Sequence, residues 1–386
     1  MSADNGRAAP PIQIAQPVMS EDEVQAVREV LESGWLTQGP RVQAFERAFA
    51  ERHGVAHALA TTSCTTALHL ALLALGIGPG DEVIVPAFTW IASANAVAYC
   101  GARPVFADID RETYNIDPDS MAAALGPRTR AVMAVHLFGR CAEIDAIRTR
   151  LPAGVALVED AACAAGGAYR GRPAGALGEV ACFSFHPRKS ITTGEGGMLA
   201  TQDAALAERV ACLRNHGASI PEEVRHHAAK PYLLPDFPVL GFNYRMTDIQ
   251  AAVGLAQLGK LDRFIDERAR WAAYYRRELA SLGWLRLPEE PEGGRHAWQA
   301  FVTSIDPASA PLPRNAIMDR LQQQGIATRP GTHAVHLLAY YRERFGIAPQ
   351  DFPGARDCDA NTMALPLHNS MTGADYARVV AALRAL

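Results

Sequence analysis

DEVIVPAF (81–88), ARPVFADI (102–109), RAVMAVHLFG (130–139), VALVED (155–160) and EVACFSF (179–185) are short, almost wholly apolar runs along the first half of the chain. Strands that lack polar alternation are buried on both faces, the signature of a parallel sheet covered by helices on each side. The intervening segments suit that role. EDEVQAVREVLES has helical periodicity behind a Ser20 cap, and TTALHLALLALG (65–76) is apolar enough to be a buried helix. Open sheets of this kind seat ligands beyond the carboxyl ends of their strands. After about Leu261 the pattern changes to a long amphipathic helix (LDRFIDERARWAAYYRRELASLG), an alternating strand (HAWQAFVTSI), a helix near NAIMDRLQQQG and a last helix from Thr372. The expected fold is α/β: an N-terminal arm (1–20), a large domain with a mostly parallel sheet flanked by helices (21–260), and a smaller C-terminal α+β domain (261–386).

Composition excludes several classes of function. The 386 residues carry a formal net charge of −4, so no strong field draws the protein to nucleic acid or membrane. No apolar run approaches the ~20 residues needed to span a bilayer, and the first residues (MSADNGRAAPPIQIAQP) lack the apolar core of a signal peptide. Seven cysteines at 64, 100, 141, 163, 182, 212 and 358 form no C-x-x-C pair, which predicts reduced thiols in a cytoplasmic protein and no zinc site.

Only three of the 37 lysines and arginines are lysine, at 189, 230 and 260. Lys189 lies in FSFHPRKSITTGEGGM (183–198), a strand that empties into a Gly-, Ser- and Thr-rich loop. Other chemically able residues also fall just past strand ends: Thr89-Trp90 after 81–88, and Ala161-Ala162-Cys163 after Glu159-Asp160. ATTSCTT (60–66) meets the buried helix at its N-terminus, where free N–H groups and hydroxyls suit an anion. One sheet edge therefore gathers an anion seat, an aromatic plate, a carboxylate and a lysine.

Those four parts suit pyridoxal 5′-phosphate. Its phosphate needs N–H groups and hydroxyls, which Ser63, Cys64, Thr65 and Ser184 offer, and its ring needs a flat partner such as Trp90. Its ring nitrogen needs an anion, and its aldehyde a lysine that forms a Schiff base and then moves protons. Arginine cannot replace that lysine, because its guanidinium does not deprotonate in proteins. Periodicity alone does not choose between Glu159 and Asp160 as the anion.

The chain resembles the sugar-nucleotide aminotransferases of the DegT/StrS family, fold-type-I pyridoxal-phosphate enzymes. The resemblance runs from GWLTQGP (34–40) to ALPLHNSMT (364–372) through SCTTALHLAL, VPAFTWIASANAV, VEDAACAAGG, the lysine loop, FNYRMTDIQAAVGLAQL and TRPGTH. It implies that Lys189 is the Schiff-base lysine, Asp160 the partner of the ring nitrogen and Trp90 the stacking aromatic. Ser184 and the Ser63-Cys64-Thr65 turn would hold the phosphate. Asn243 would reach the phosphate of a neighbouring subunit, which implies a homodimer with shared active sites. Where many members have Gln or His three residues after the aspartate, near the ring hydroxyl, this chain has Cys163.

Function follows as an expectation: an amino group moves from an amino acid, glutamate before glutamine, to a keto-sugar, most simply a nucleotide-linked keto-deoxyhexose. Amino-sugar biosynthesis for a polysaccharide or an antibiotic is the expected setting. Arg329 and His333, in TRPGTHAVH, are candidates for the substrate side, Arg329 for a carboxylate or a phosphate. A metal pair at His333 and His336 lacks a third ligand, so no metal is expected. The alternatives are a keto-sugar dehydratase of the same fold, in which relatives carry histidine where Lys189 stands, and a non-catalytic regulatory homologue.

Overall fold

The computed structural model describes residues 10–220, 232 and 234–386. Seven strands form the main sheet: β1 (His57–Thr61), β2 (Glu82–Pro86), β3 (Arg103–Ala107), β4 (Thr129–Val135), β5 (Ala156–Asp160), β6 (Val180–Ser184) and β7 (Gly197–Thr201). Their spatial order is β1-β7-β6-β5-β4-β2-β3, and every pairing is parallel except the two made by β7. The five strands expected from the apolar runs are present, with one trimmed. The run 130–139 leaves the sheet at Val135, because Leu137–Gly139 turns tightly and Phe138 takes a positive φ of 58°. Strands β1 and β7 went unread, since HALAT and GMLAT are short and rich in small residues.

The period of two sorts side chains between two cores. Val83, Val85, Met133, Val158, Cys182 and Leu199 face one cluster, which α3 (Cys64–Ala74), α4 (Ala92–Tyr99) and α5 (Ala204–Arg214) complete. Ile84, Val132, Ala134, Leu157, Phe183 and Met198 face the other, filled by α2 (Pro40–His53), α6 (Asp248–Leu258) and the start of α7 (Leu261–Leu279). Helix α1 (Glu21–Ser33) begins at Ser20 with a capping box to Glu23, so the predicted cap is the observed one.

A second, antiparallel sheet holds β8 (Leu285–Arg286), β9 (Phe301–Ile305), β10 (Arg329–Pro330) and β11 (Thr362–Leu365), in the order β8-β9-β11-β10. The alternating run 296–305 pairs only over its last five residues, and all five are buried. Its core takes the second half of α7 through Ala272, Tyr275 and Leu279, with α8 (Arg314–Gln323), α9 (Gly373–Arg384) and Ile12 of the arm. One helix thus serves two cores and locks the sheets together. Buried Arg268, midway along α7, strengthens the joint by donating to the carbonyls of Trp298, Gln299 and Leu367. Residues 333–334 return to pair with 88–89 at the main sheet's edge. No helix among the described residues is long and apolar enough to cross a membrane.

Candidate active site

The carboxyl ends of β4, β5 and β6, the start of α3 and the second sheet enclose a cavity of about 390 Å³. It is lined by Ser63, Cys64, Thr65, Trp90, Asp160, Cys163, Ser184, Lys189 and Arg329, so nine of the eleven expected site residues converge. Asn243 and His333 are the exceptions. Asn243 is exposed and forms a β-bridge with Asn215, while its neighbour Tyr244 accepts from the Thr62 N–H at 3.1 Å. His333 is exposed and leans on Trp90 with ring centroids 5.8 Å apart. His336 is instead buried against Phe352, so the two histidines do not share a setting.

The choice between Glu159 and Asp160 is made by the strand. Successive side chains on β5 point to opposite faces. Glu159, fully buried, accepts from the N–H groups of Gly175, Leu177 and Gly178 at 2.7–2.8 Å and sits 2.9 Å from His136 Nε2. Burial pushes its pKa up, but His136 and the Gly175 and Gly178 N–H groups outweigh this and hold it below the ordinary value. Its oxygens are committed to holding the 175–178 loop. Asp160 faces the cavity instead. The Ser93 hydroxyl donates to its Oδ2 at 2.7 Å, the Ala162 N–H donates to Oδ1 at 3.2 Å, and Thr89 Oγ1 lies 3.1 Å from Ser93 Oγ. Ser93 was missed in the sequence. Its only signal is spacing: it falls four residues after Thr89, on the first turn of α4.

Lys189 is carried by the loop between β6 and β7, which doubles back on itself. Phe185 N–H donates to Gly196 O at 2.9 Å and Thr193 N–H to Phe185 O at 3.0 Å. Gly197 allows that return to lie against α3, since a Cβ there would come within 2.4 Å of the Ser63 carbonyl. Lys189 Nζ lies 3.1 Å from Cys163 Sγ and makes no ion pair among the described residues. Burial works against its charge, but Cys163 and Asp160 outweigh burial and raise its pKa above that of an ordinary lysine. Lys260, by contrast, is consumed by Asp22 and Glu23 at 2.9 and 2.6 Å, and Lys230 lies outside the described residues. Burial pushes the Cys64 thiol well up, which makes it a packing group and leaves its backbone to matter.

The site fits a phosphorylated pyridine aldehyde. Ser63 caps α3 by accepting from Thr66 N–H, while the Cys64 and Thr65 N–H groups have no partner among the described residues. That is an anion seat at the head of an 11-residue helix. Trp90, 58% exposed on the cavity wall, offers an uncovered ring face. Between them lie one amine and one buried carboxylate. Parts of the wall that sequence reasoning did not assign come from afar: Ile14 and Ala15 of the arm, Val302 of β9 and Leu365 of β11. Their apolar side chains carry no chemical signal in the sequence.

The model of the DegT/DnrJ/EryC1/StrS aminotransferase family matches residues 17–384. A GDP-perosamine synthase of Caulobacter vibrioides is 41% identical over 377 residues, covering 97% of this chain and 98% of that protein. The aminotransferase TlmJ from Streptoalloteichus hindustanus superposes with a TM-score of 0.88 at 36% identity, over 97% of this chain and 98% of its own. Spr1654 of Streptococcus pneumoniae, solved in a PLP form, gives a TM-score of 0.89 at 26% identity over the same shares.

Two outcomes separate the adjacent carboxylates. Glu159→Gln turns an amide donor toward N–H donors and should destabilise the fold by about 3 kcal/mol at pH 7. A depressed carboxyl pKa gives stability that is present above the unfolded value of 4.5 and lost as pH falls through the folded one. The difference in melting temperature between wild type and variant should therefore shrink from pH 7 to pH 4. Ser93→Ala leaves an Asp160 oxygen without its donor, so it should cost about 1–3 kcal/mol of stability and also weaken pyridoxal-phosphate binding about tenfold, read by equilibrium dialysis, an effect Glu159→Gln should not share.

Proposed function

This chain belongs to the DegT/DnrJ/EryC1/StrS aminotransferase family, and from that premise we propose that it carries an amino group from an amino acid, glutamate first, to a keto-sugar linked to a nucleoside diphosphate. The observation that carries the reading is Lys189, a lysine without an ion pair among the described residues, in one cavity with Asp160, Trp90 and the head of α3. The similarity to a GDP-perosamine synthase supports a nucleotide-linked acceptor.

Pyridoxal 5′-phosphate, when bound, supplies an aldehyde and an electron-withdrawing ring that can store an amino group between two substrates. Lys189 would hold the aldehyde carbon, and Asp160 the ring nitrogen. Trp90 would cover one ring face, and Cys163 would lie at the ring hydroxyl. The Cys64 and Thr65 N–H groups, with the Ser63 and Ser184 hydroxyls, would take the phosphate. In the reaction, the Lys189 amine, once released from the aldehyde carbon, would take the proton from the donor's α-carbon and give it to that carbon, and would run the same shift in reverse with the acceptor. Ser93 and the Ala162 N–H fix the Asp160 carboxylate so that it need not reorganise as charge develops. The apolar wall from Ile14, Val302 and Leu365 excludes water around that amine. Histidine could not hold the aldehyde as lysine does, which weighs against the dehydratase alternative. A sensor would need no such amine at all.

The assembly is read as a homodimer. The segment leading to Asn243 exposes Leu234 (83%), Phe237 (56%) and Leu240 (89%), apolar surface that a second copy would cover. Asn243, outside its own cavity, would then serve the cavity of the partner. Seven free cysteines suit a reducing cytoplasm.

Borohydride reduction of the holoenzyme should leave the cofactor on the peptide containing Lys189. Lys189→Ala should lose that label and at least about 10³-fold in kcat. Pyridoxamine-loaded enzyme mixed with a panel of nucleotide-linked keto-sugars should regain the aldehyde spectrum with one class of acceptor. Reversion with none of them would overturn the acceptor class.

Sharing of sites is tested by mixing inactive Lys189→Ala with inactive Asn243→Asp, whose new carboxylate would oppose the phosphate. Random exchange of subunits restores one intact site in half of the dimers, so activity should recover to about a quarter of wild type. No recovery after demonstrated exchange would mean that each chain builds its site alone.

A further inference from the structure

Resting on the transamination reading, we propose that Arg188 and Arg329 form a second anion seat at the mouth of the cavity, and that its occupant is the diphosphate of the acceptor. Both guanidinium-bearing residues line the cavity that holds Lys189, and both are exposed. They come from different layers. Arg188 rides on the lysine loop, with its carbonyl accepting from Gln299 Nε2 at 2.8 Å, and Arg329 lies on β10 opposite Ala364.

Neither arginine has an ion-pair partner among the described residues, although many arginines elsewhere on the surface do, such as Arg150 with Asp119 at 2.6 Å and Arg172 with Asp145 at 2.7 Å. The two repel each other: burial and then the charge of Arg329 lower the pKa of Arg188. His186 also lines the cavity, with its Nδ1 accepting from the Arg188 backbone N–H at 3.2 Å. Burial, Arg188, Lys189 and Arg329 hold this ring toward its neutral form, against Glu195. The carboxylates on the cavity lining are Asp160, committed to the Lys189 end, and Glu195. Two like charges held together across a cleft cost free energy until an anion joins them.

A diphosphate suits two arginines brought to one cavity from different layers, because each guanidinium fork can take the oxygens of one phosphoryl group. The cofactor's phosphate does not compete for the seat, since its own place at the head of α3 uses N–H groups and hydroxyls. With the diphosphate at the mouth, the sugar extends inward toward Lys189 and the nucleoside outward past exposed His333.

The test uses holoenzyme, with cofactor absorbance confirming the loaded fold, and inorganic pyrophosphate as the probe. Titration calorimetry should show binding that weakens as salt rises, and Arg188→Gln and Arg329→Gln should each raise Kd about tenfold. Arg188→Lys should fall between, keeping the charge and losing the fork. The single-turnover conversion of the cofactor by L-glutamate should move far less than pyrophosphate binding in the same variants. Equal Kd for pyrophosphate with and without the arginines overturns the seat. So does a larger loss in the glutamate half-reaction, which would assign the arginines to the donor's carboxylate. A protein that takes up no cofactor, or accepts no amino group from any amino acid, overturns the transamination reading itself.

Discussion

At the end of β5 two carboxylates, adjacent in sequence and separated by one peptide bond, are sent to opposite sides of a sheet. The pleat allows no other outcome: a strand that buries Leu157 on one face and Val158 on the other must place Glu159 and Asp160 likewise. Everything the site does depends on that division. Glu159 spends both oxygens on the loop from 175 to 178 and on His136, which anchors the end of the sheet. Asp160 is thereby free to meet the Ser93 hydroxyl and the open cavity. A slip of one residue in the pairing of β5 with β4 and β6 would exchange the two roles.

The same strand explains what the sequence could reveal. Fold class, the five central strands and the cap at Ser20 were legible because burial imposes apolar runs and capping imposes side-chain types. Lys189 and the Ser63-Cys64-Thr65 turn could be singled out as candidates because their chemistry tolerates few residue types, whereas the preference for Asp160 over Glu159 came only from the family resemblance. Ser93 and Arg188 were not, for different reasons. A serine on the first turn of a helix looks like any capping or small packing residue, and only the distance to Asp160 singles it out. An arginine beside Lys189 looks like one more charge in an arginine-rich chain, until its lack of a carboxylate partner among the described residues is seen. The apolar wall contributed by residues 14, 302 and 365 depends on chain crossings that no local pattern encodes.

The cavity also shows how two sheets divide the labour. The main sheet and its loop supply the candidate reactive groups, held by bonds between neighbouring elements such as Ser93 to Asp160 and Lys189 to Cys163. The second sheet supplies Arg329, Val302 and Leu365, reached only because α7 packs into both cores and Arg268 ties its middle to three carbonyls. Chemistry common to all substrates would thus rest on the rigid layer. Selection among substrates would rest on the layer farther along the chain, where changes in sequence leave the Lys189–Asp160 arrangement intact.

The scarcity of lysine then gains a physical meaning. Guanidinium groups suit the surface pairs and, on the reading above, the mouth of the cavity, because they stay charged and grip two oxygens at once. Both properties would disable the group at the cavity floor if, as proposed, the amine there gives up its proton and forms a bond to carbon. Arginine at 189 would keep the charge beside Asp160 and Cys163, yet it could neither hold an aldehyde nor move a proton between substrates. The positions flanking the site can use either cation. On the proposed reading, position 189 admits only one.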